Sequence, residues 1–324
     1  MEGRRHSGPH HRQGDSVGRR GGSLRPARPE DKEQVIAWSR RPRFPDVAVT
    51  GISGAQRGEW FAGYFAQNWD KLLAHPQVSV WIDPEGQDYL IARHGEREMQ
   101  TGESQTVIWD WGCQPARFLE GLRSSQDDYV VVQHLEGGTN PWPELGFLPE
   151  LRRVISTTRT ELPELTYPVR PAEKRDLFLI ANLHTQGSQF YIPAQRRVDP
   201  AALVAKTSNY YLGLDLSAAS KMIGYVVCDQ NRPFGYILYK LGHRLDVSAA
   251  PAAYLFDLNL QADQRGKSAA GQLGRYSLTQ LAAQGIEYVI GDISADNQLG
   301  YAAATRAGHF QLESVRWGLA LRGV

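Results

Sequence analysis

Residues 255–260 form a short, mostly apolar run, a strand by length and composition. The interval then changes. Ala270, Leu273, Leu278 and Leu281 recur near a helical period, and Gly285 stands where a helix end favours a left-handed residue. Residues 286–293 return to a strand-length apolar run, and Asn297 opens a second short helix. Upstream, 78–82 and 89–92 flank Asp83-Pro84-Glu85-Gly86, where Pro presets one turn position and Gly offers a positive φ. A second hairpin has 222–228 and 234–240 flanking Asp229-Gln230-Asn231-Arg232-Pro233. Residues 106–111 and 129–134 read as strands around a helix at 116–123, and 145–150 reads as a helix exit leading into another strand.

A repeat divides the chain. Leu24-Arg25-Pro26-Ala27, followed by Asp31, returns as Val169-Arg170-Pro171-Ala172, followed by Asp176; the offset is 170 − 25 = 145 residues. Each copy reads as a short strand, an Arg-Pro turn and a helix with an acidic first turn, where the helix dipole favours negative charge. Two units are expected, 23–165 and 166–324, joined near 157–168, where prolines and threonines break the periodicity. Residues 1–22 have no aromatic and one β-branched residue, and are expected to be a disordered tail. His6, His10 and His11 are read as solvated there, and no metal site is expected.

Charge narrows the partners. Formal net charge is +1 and 22% of residues are charged, which argues against nucleic acid. No apolar run approaches the roughly 18–20 residues of a membrane span. No apolar segment follows the N-terminal arginines and histidines, so no secretory signal is expected and the protein is read as cytoplasmic. Cys113 and Cys228, far apart in sequence, are read as buried reduced thiols.

The segment from Gln264 to Gly271 has almost no bulky side chains, leaving open amides at a helix N-terminus, an arrangement that binds phosphate. With the strand before it and the strand and helix after, this segment resembles the central and C-terminal part of the GNAT (GCN5-related N-acetyltransferase) superfamily. The pyrophosphate signature of that family, Arg/Gln-x-x-Gly-x-Gly/Ala, falls on Arg265-Gly266-Lys267-Ser268-Ala269-Ala270, with Ser268 where Gly is preferred. The resemblance implies an α+β fold of two GNAT-like domains, each a mixed, mostly antiparallel sheet flanked by helices. It implies direct acyl transfer from acetyl-CoA, as co-substrate, to a primary amine of a small molecule, without metal. The implied cofactor contacts are Arg265, Gly266, Lys267, Ser268, Ala269, Ala270, Gly271, Asn297 and an oxyanion contact from the backbone of Leu258 to Leu260.

The family pattern also places Gly eleven residues after Asn, which Gly308 fits, and often a Tyr seven after it, where this chain has Ala304. Tyr301 is the candidate acid for the leaving thiolate; it either reaches the sulfur or packs. Asp257 is the candidate base, on the face opposite Phe256 and Leu258 if alternation holds. Asp292, His243 and Glu313 are its rivals. The first unit lacks the loop: Pro115 removes an amide from Gly112-Cys113-Gln114-Pro115-Ala116-Arg117, and Pro141 and Pro143 occupy the place of the second helix. It is read as a degenerate, non-catalytic copy that walls part of the acceptor cleft. The aromatic and polar segments Ser188-Gln189-Phe190-Tyr191-Ile192-Pro193 and Asn209-Tyr210-Tyr211 are either acceptor-binding or helix-packing elements. The alternative to a transferase is a coenzyme-A-binding or ligand-sensing protein without turnover.

Overall fold

The computed structural model describes residues 24–41, 44–98, 101–112, 114–123, 125–196, 198–217, 219–245, 247–307 and 309–321. The expected tail at 1–22, Cys113 and Gly308 lie outside the described residues. In chain order the strands are β1 (Arg25–Pro26), β2 (Val78–Asp83), β3 (Asp88–Arg97), β4 (Ser104–Trp111), β5 (Tyr129–Leu135) and β6 (Leu148–Thr157), then β7 (Val169–Pro171), β8 (Met222–Asp229), β9 (Arg232–Arg244), β10 (Pro251–Leu260), β11 (Tyr288–Ser294) and β12 (Gln311–Ala320). The α-helices are α1 (Lys32–Ser39), α2 (Gly54–Ala74), α3 (Leu119–Arg123), α4 (Leu177–Gly187), α5 (Pro200–Leu212), α6 (Ala269–Ala282) and α7 (Gln298–Ala307). None is long and apolar enough to cross a membrane among the described residues.

The strands form one sheet in the order β1-β2-β3-β4-β5-β12-β6-β11-β10-β9-β8-β7. It is mixed and mostly antiparallel, with parallel pairing only at β4–β5 and β10–β11. The two halves exchange their last strands: β6 pairs with β11, and β12 pairs with β5. Residues 158–168 carry no helix or strand.

The repeated Arg-Pro motif has a physical role in each half. Arg25 donates two hydrogen bonds of 2.8 Å to Asp31, which also accepts from the Arg28 amide. Arg170 donates to Asp176 at 2.7 and 2.8 Å, and Asp176 accepts from the Glu173 amide. These carboxylates therefore answer a guanidinium and a capping amide, a stronger and more directional partner than the helix dipole alone. The first hairpin also departs from expectation. Gln87, with φ 50°, takes the left-handed position, whereas Gly86 is small because the Asp83 carboxylate and the Arg117 guanidinium crowd its Cβ position.

The slot between β4 and β5 is filled. Trp142 is fully buried in one cluster with Phe118, Val130 and Val132, and its ring meets Trp111 edge-on at 5.1 Å. The corresponding slot between β10 and β11 is flanked by α6 on one face and α4–α5 on the other. Ile237, Tyr239, Ala253 and Val289 pack with Leu273 and Leu278 of α6. Tyr236 and Leu238 pack with Ile180 of α4 and Tyr211 of α5.

Candidate active site

Beside the last parallel pair, Leu255 with Gly291, β10 and β11 stop pairing, and a cavity of about 400 Å³ opens between them. The small residues Ala270, Gly271 and Gly274 of α6 face Gly300, Ala303 and Ala304 of α7 across it. A Cβ on Gly274 would meet nothing within 4 Å, so the slot has room at that point on the α6 wall. Arg97, Glu98 and Gln105 of the first half, Leu151 of β6 and Arg316 of β12 complete the wall.

Beta-bulge geometry sets the floor. The register of β10 against β9 shifts between Leu255 and Asp257, leaving Phe256 without a ladder partner. Simple alternation therefore fails here: Phe256 and Asp257 both turn toward the α4–α5 face, where Phe256 packs on Tyr210 and Tyr211. Leu258 resumes alternation toward α6 and lines the cavity.

Asp257 is the hub of a buried polar cluster. Tyr191 donates to its Oδ1 at 2.5 Å; Tyr211 and Tyr236 donate to Oδ2 at 2.7 and 2.5 Å. Nδ1 of His184 lies 2.9 Å from the same oxygen and must carry its hydrogen to meet a carboxylate. Burial alone would raise the Asp257 pKa, but the His184 and tyrosine hydrogen bonds outweigh it and hold the carboxyl below the usual range. The partners respond in the opposite direction: burial, then the Asp257 charge, push the Tyr191 hydroxyl well above the ordinary phenol range. Tyr191 thus stays a phenol, its hydrogen given to Asp257, with its oxygen at the cavity wall.

At the N-terminus of α6, Gly266 and Ser268 both have left-handed backbones, φ 77° and 62°. Ser268 accepts from Gln272 Nε2 at 3.0 Å through its hydroxyl. Arg265 points back: its Nε donates to the Leu260 carbonyl and its Nη2 to Asn259, with its guanidinium over the Phe190 ring. Lys267 is exposed beside them, and Ala269 is buried in the α6 cluster.

The cavity therefore gathers Asp257, Leu258, Ala270, Gly271, Asn297 and the rival base Asp292 from the sequence-predicted residues, whereas the other two rivals, His243 and Glu313, are not among its lining residues. The Leu260 amide donates to Asn259 Oδ1. Asn297 Oδ1 accepts from the Gly300 amide, capping α7. Tyr301 is not among the lining residues, and the Arg152 guanidinium lies 4.7 Å from the centre of its ring.

Sequence reasoning missed Ser294, at the end of β11. Its hydroxyl is buried at the cavity without a hydrogen-bond partner among the described residues, and a lone serine at a strand end gives no signal. It also missed Arg196, which donates to Glu150 of β6 through two bonds of 2.7 Å and to Gln105 at 3.1 Å. Both charged side chains are fully buried, and Arg196 covers the Tyr129 ring at 4.1 Å. That contact pins the loop carrying Tyr191 to the first half.

The twelve-stranded mixed sheet, with a parallel split beside a bulged strand, matches a known architecture over nearly the whole chain. A GCN5-related N-acetyltransferase from Sphaerobacter thermophilus superposes with a TM-score of 0.50 at 13% identity, over 93% of this chain and 96% of that one. The chain has the GNAT fold. A GCN5-related N-acetyltransferase from Kribbella flavida is similar over 72% of this chain and 87% of its own, with a TM-score of 0.43 and 11% identity. No protein-family model and no curated protein matches the sequence. The GNAT fold was thus legible in the loop and the order of elements, while overall sequence similarity to these neighbours is low.

Proposed function

We propose that the chain is an acyl-CoA-dependent N-acyltransferase that moves an acetyl group from acetyl-CoA to a primary amine on a small molecule. The observation that carries this reading is the slot between β10 and β11. Its small-residue walls suit a thin linear chain such as pantetheine, and the left-handed Gly266 and Ser268 backbones sit at the helix end where a pyrophosphate would lie. Asn297 serves mainly to cap α7 and shape that wall.

In this reading the amine nitrogen attacks the thioester carbonyl. A C–N bond forms, the C–S bond breaks, and the nitrogen's proton ends on the departing thiolate. Backbone amides freed by the bulge at Phe256 polarise the carbonyl oxygen. Tyr191 accepts an N–H of the amine, and Asp257 behind it opposes the positive charge that develops on nitrogen. Asp257 acts as a positioning residue, because its oxygens already accept from His184 and three tyrosines. Ser294 donates a hydrogen bond to the departing sulfur. Tyr301, away from the cavity, takes no part.

The placement of Tyr301 outside the cavity also favours a second reading, a coenzyme-A-binding protein without turnover. Thiol release from acetyl-CoA across a panel of primary amines separates the two. Amine-dependent release, with acetylated product by mass spectrometry, supports transfer. Tight coenzyme A binding without product supports the second reading.

A further inference from the structure

Of Arg97, Glu98 and Gln105 on the wall of the active-site cavity, only Gln105 is buried, at 6% exposure. It lies near the start of β4, level with Tyr129 of β5 in the parallel pair. Arg196 spans that pair: its Nη2 donates to Gln105 Oε1 at 3.1 Å, and its guanidinium covers the Tyr129 ring at 4.1 Å.

That bond fixes which way the carboxamide faces. A guanidinium can only donate, so the carbonyl oxygen of Gln105 is the atom turned to Arg196. Arg196 is itself held in place, since Glu150 takes two of its N–H groups at 2.7 Å. The other end of the carboxamide, Nε2, carries two N–H groups and has no hydrogen-bond partner among the described residues. Unlike the Ser294 hydroxyl it is not enclosed by protein, so it opens on the cavity that Gln105 lines. Tyr191 supplies the complement. Its hydrogen is committed to Asp257, so its oxygen can only accept, and it stands on the same cavity. One wall thus accepts and the other donates. Arg196 follows Tyr191 by 196 − 191 = 5 residues, which holds the two within about 17 Å of each other.

We propose that Gln105 is a specificity-determining residue: its Nε2 donates to an oxygen on the amine substrate while the amine itself meets Tyr191. The inference rests on the acyl-transfer reading. The substrate class is a primary amine joined by a short chain to a hydrogen-bond-accepting oxygen such as a carbonyl. An alkylamine of the same shape would leave Nε2 dry and unpaired, and that cost selects against it. The first half thereby reads the substrate for a reaction carried out in the second.

The test pairs acetyl-CoA with three series of amines of graded chain length. The ω-amino N,N-dimethylamides carry a carbonyl oxygen and no donor besides the amine; branched alkylamines match their shape; diamines carry a second donor instead. At one length or more the dimethylamide is expected to exceed its alkyl match by about tenfold or more in kcat/KM. Gln105→Glu keeps the shape of the side chain and an oxygen for Arg196, and replaces the Nε2 donor by a second carboxylate oxygen. That variant is expected to lose the preference and to favour the diamine, an inversion that loosened packing would not give. Equal kcat/KM for dimethylamide and alkyl match at every length would overturn the proposal, as would an undiminished preference in Gln105→Glu. Should no amine turn over, the acyl-transfer reading fails on its own, and calorimetric titration of the same amines into the full chain with saturating coenzyme A still reads Gln105. Tighter binding of a dimethylamide than of its alkyl match, lost in Gln105→Glu, would support the donor without turnover. No binding of any dimethylamide, or binding unchanged in the variant, would overturn it.

Discussion

Ser268 shows why the loop before α6 would favour glycine: its φ of 62° is left-handed, and any Cβ there carries a steric cost. A short polar side chain tolerates the conformation, and Gln272 rewards it with a hydrogen bond. Ser268→Val is expected to cost about 1–2 kcal/mol, because a β-branched residue fits this backbone poorly, while Ser268→Gly stays within about 0.5 kcal/mol. Urea midpoints of the two variants decide it, and equal effects would refute the strain argument. At Tyr191 the expectation concerns rate. Tyr191→Phe should lower kcat/KM for the amine by about tenfold or more while acetyl-CoA affinity holds, since the hydroxyl meets the acceptor side. Steady-state kinetics with a saturating cofactor would show this; an unchanged kcat/KM would remove Tyr191 from the reaction. The segments 188–193 and 209–211 stood out in the sequence by their aromatics, and Tyr191 and Tyr211 come from them. His184 and Tyr236 occupy ordinary apolar positions of a helix and a strand, so nothing local marks their bond to Asp257.

Among the elements, the Arg-Pro repeat is the one whose energetics follow most directly from the sequence. Each copy ties a two- or three-residue strand to the turn after it by a bidentate Arg–Asp pair. The bond from Arg25 is the largest influence on Asp31 and lowers its pKa. For Asp176, burial pushes upward, but Arg170 and the Glu173 amide outweigh it and again lower the pKa. A carboxylate with a depressed folded pKa stabilises the fold above its unfolded pKa of about 3.9, and that contribution is lost as pH falls through the folded value. Urea unfolding at neutral pH and near pH 3 should show it: Asp176→Asn and Asp31→Asn each lower stability at neutral pH by about 1 kcal/mol and flatten the acid slope. A steep, wild-type slope in both variants would contradict the pairing. Alternation was a poorer guide at β10, because the bulge at Phe256 turns two neighbouring side chains the same way. A bulge leaves no composition signal when every residue around it is apolar or functional.

Across the whole molecule, the two halves are joined by exchange rather than by simple contact. β6 lies between β12 and β11, and the buried Arg196–Glu150 pair and the Arg153–Asp292 pair cross the boundary with it. The 145-residue offset made the repeat legible, but 148–157 reads as the same apolar strand whichever half it joins. Residues 166–324 expressed alone would therefore expose the β11 edge and lose both ion pairs. That fragment is expected to lack a cooperative unfolding transition, and co-expression with 24–165 is expected to restore one. Circular dichroism melts test this, and a cooperative, stable fragment would contradict it. The central claim is that the slot between β10 and β11 receives acyl-CoA. Its most direct test is calorimetric titration of acetyl-CoA into the full chain and into Gly274→Phe, which fills the slot from α6 without touching the phosphate loop. The account predicts one site in the wild type and at least about a hundredfold weaker binding in a folded Gly274→Phe, the loss of about 2.8 kcal/mol of contact along the slot. No binding to the wild type, or equal binding to both, would contradict it.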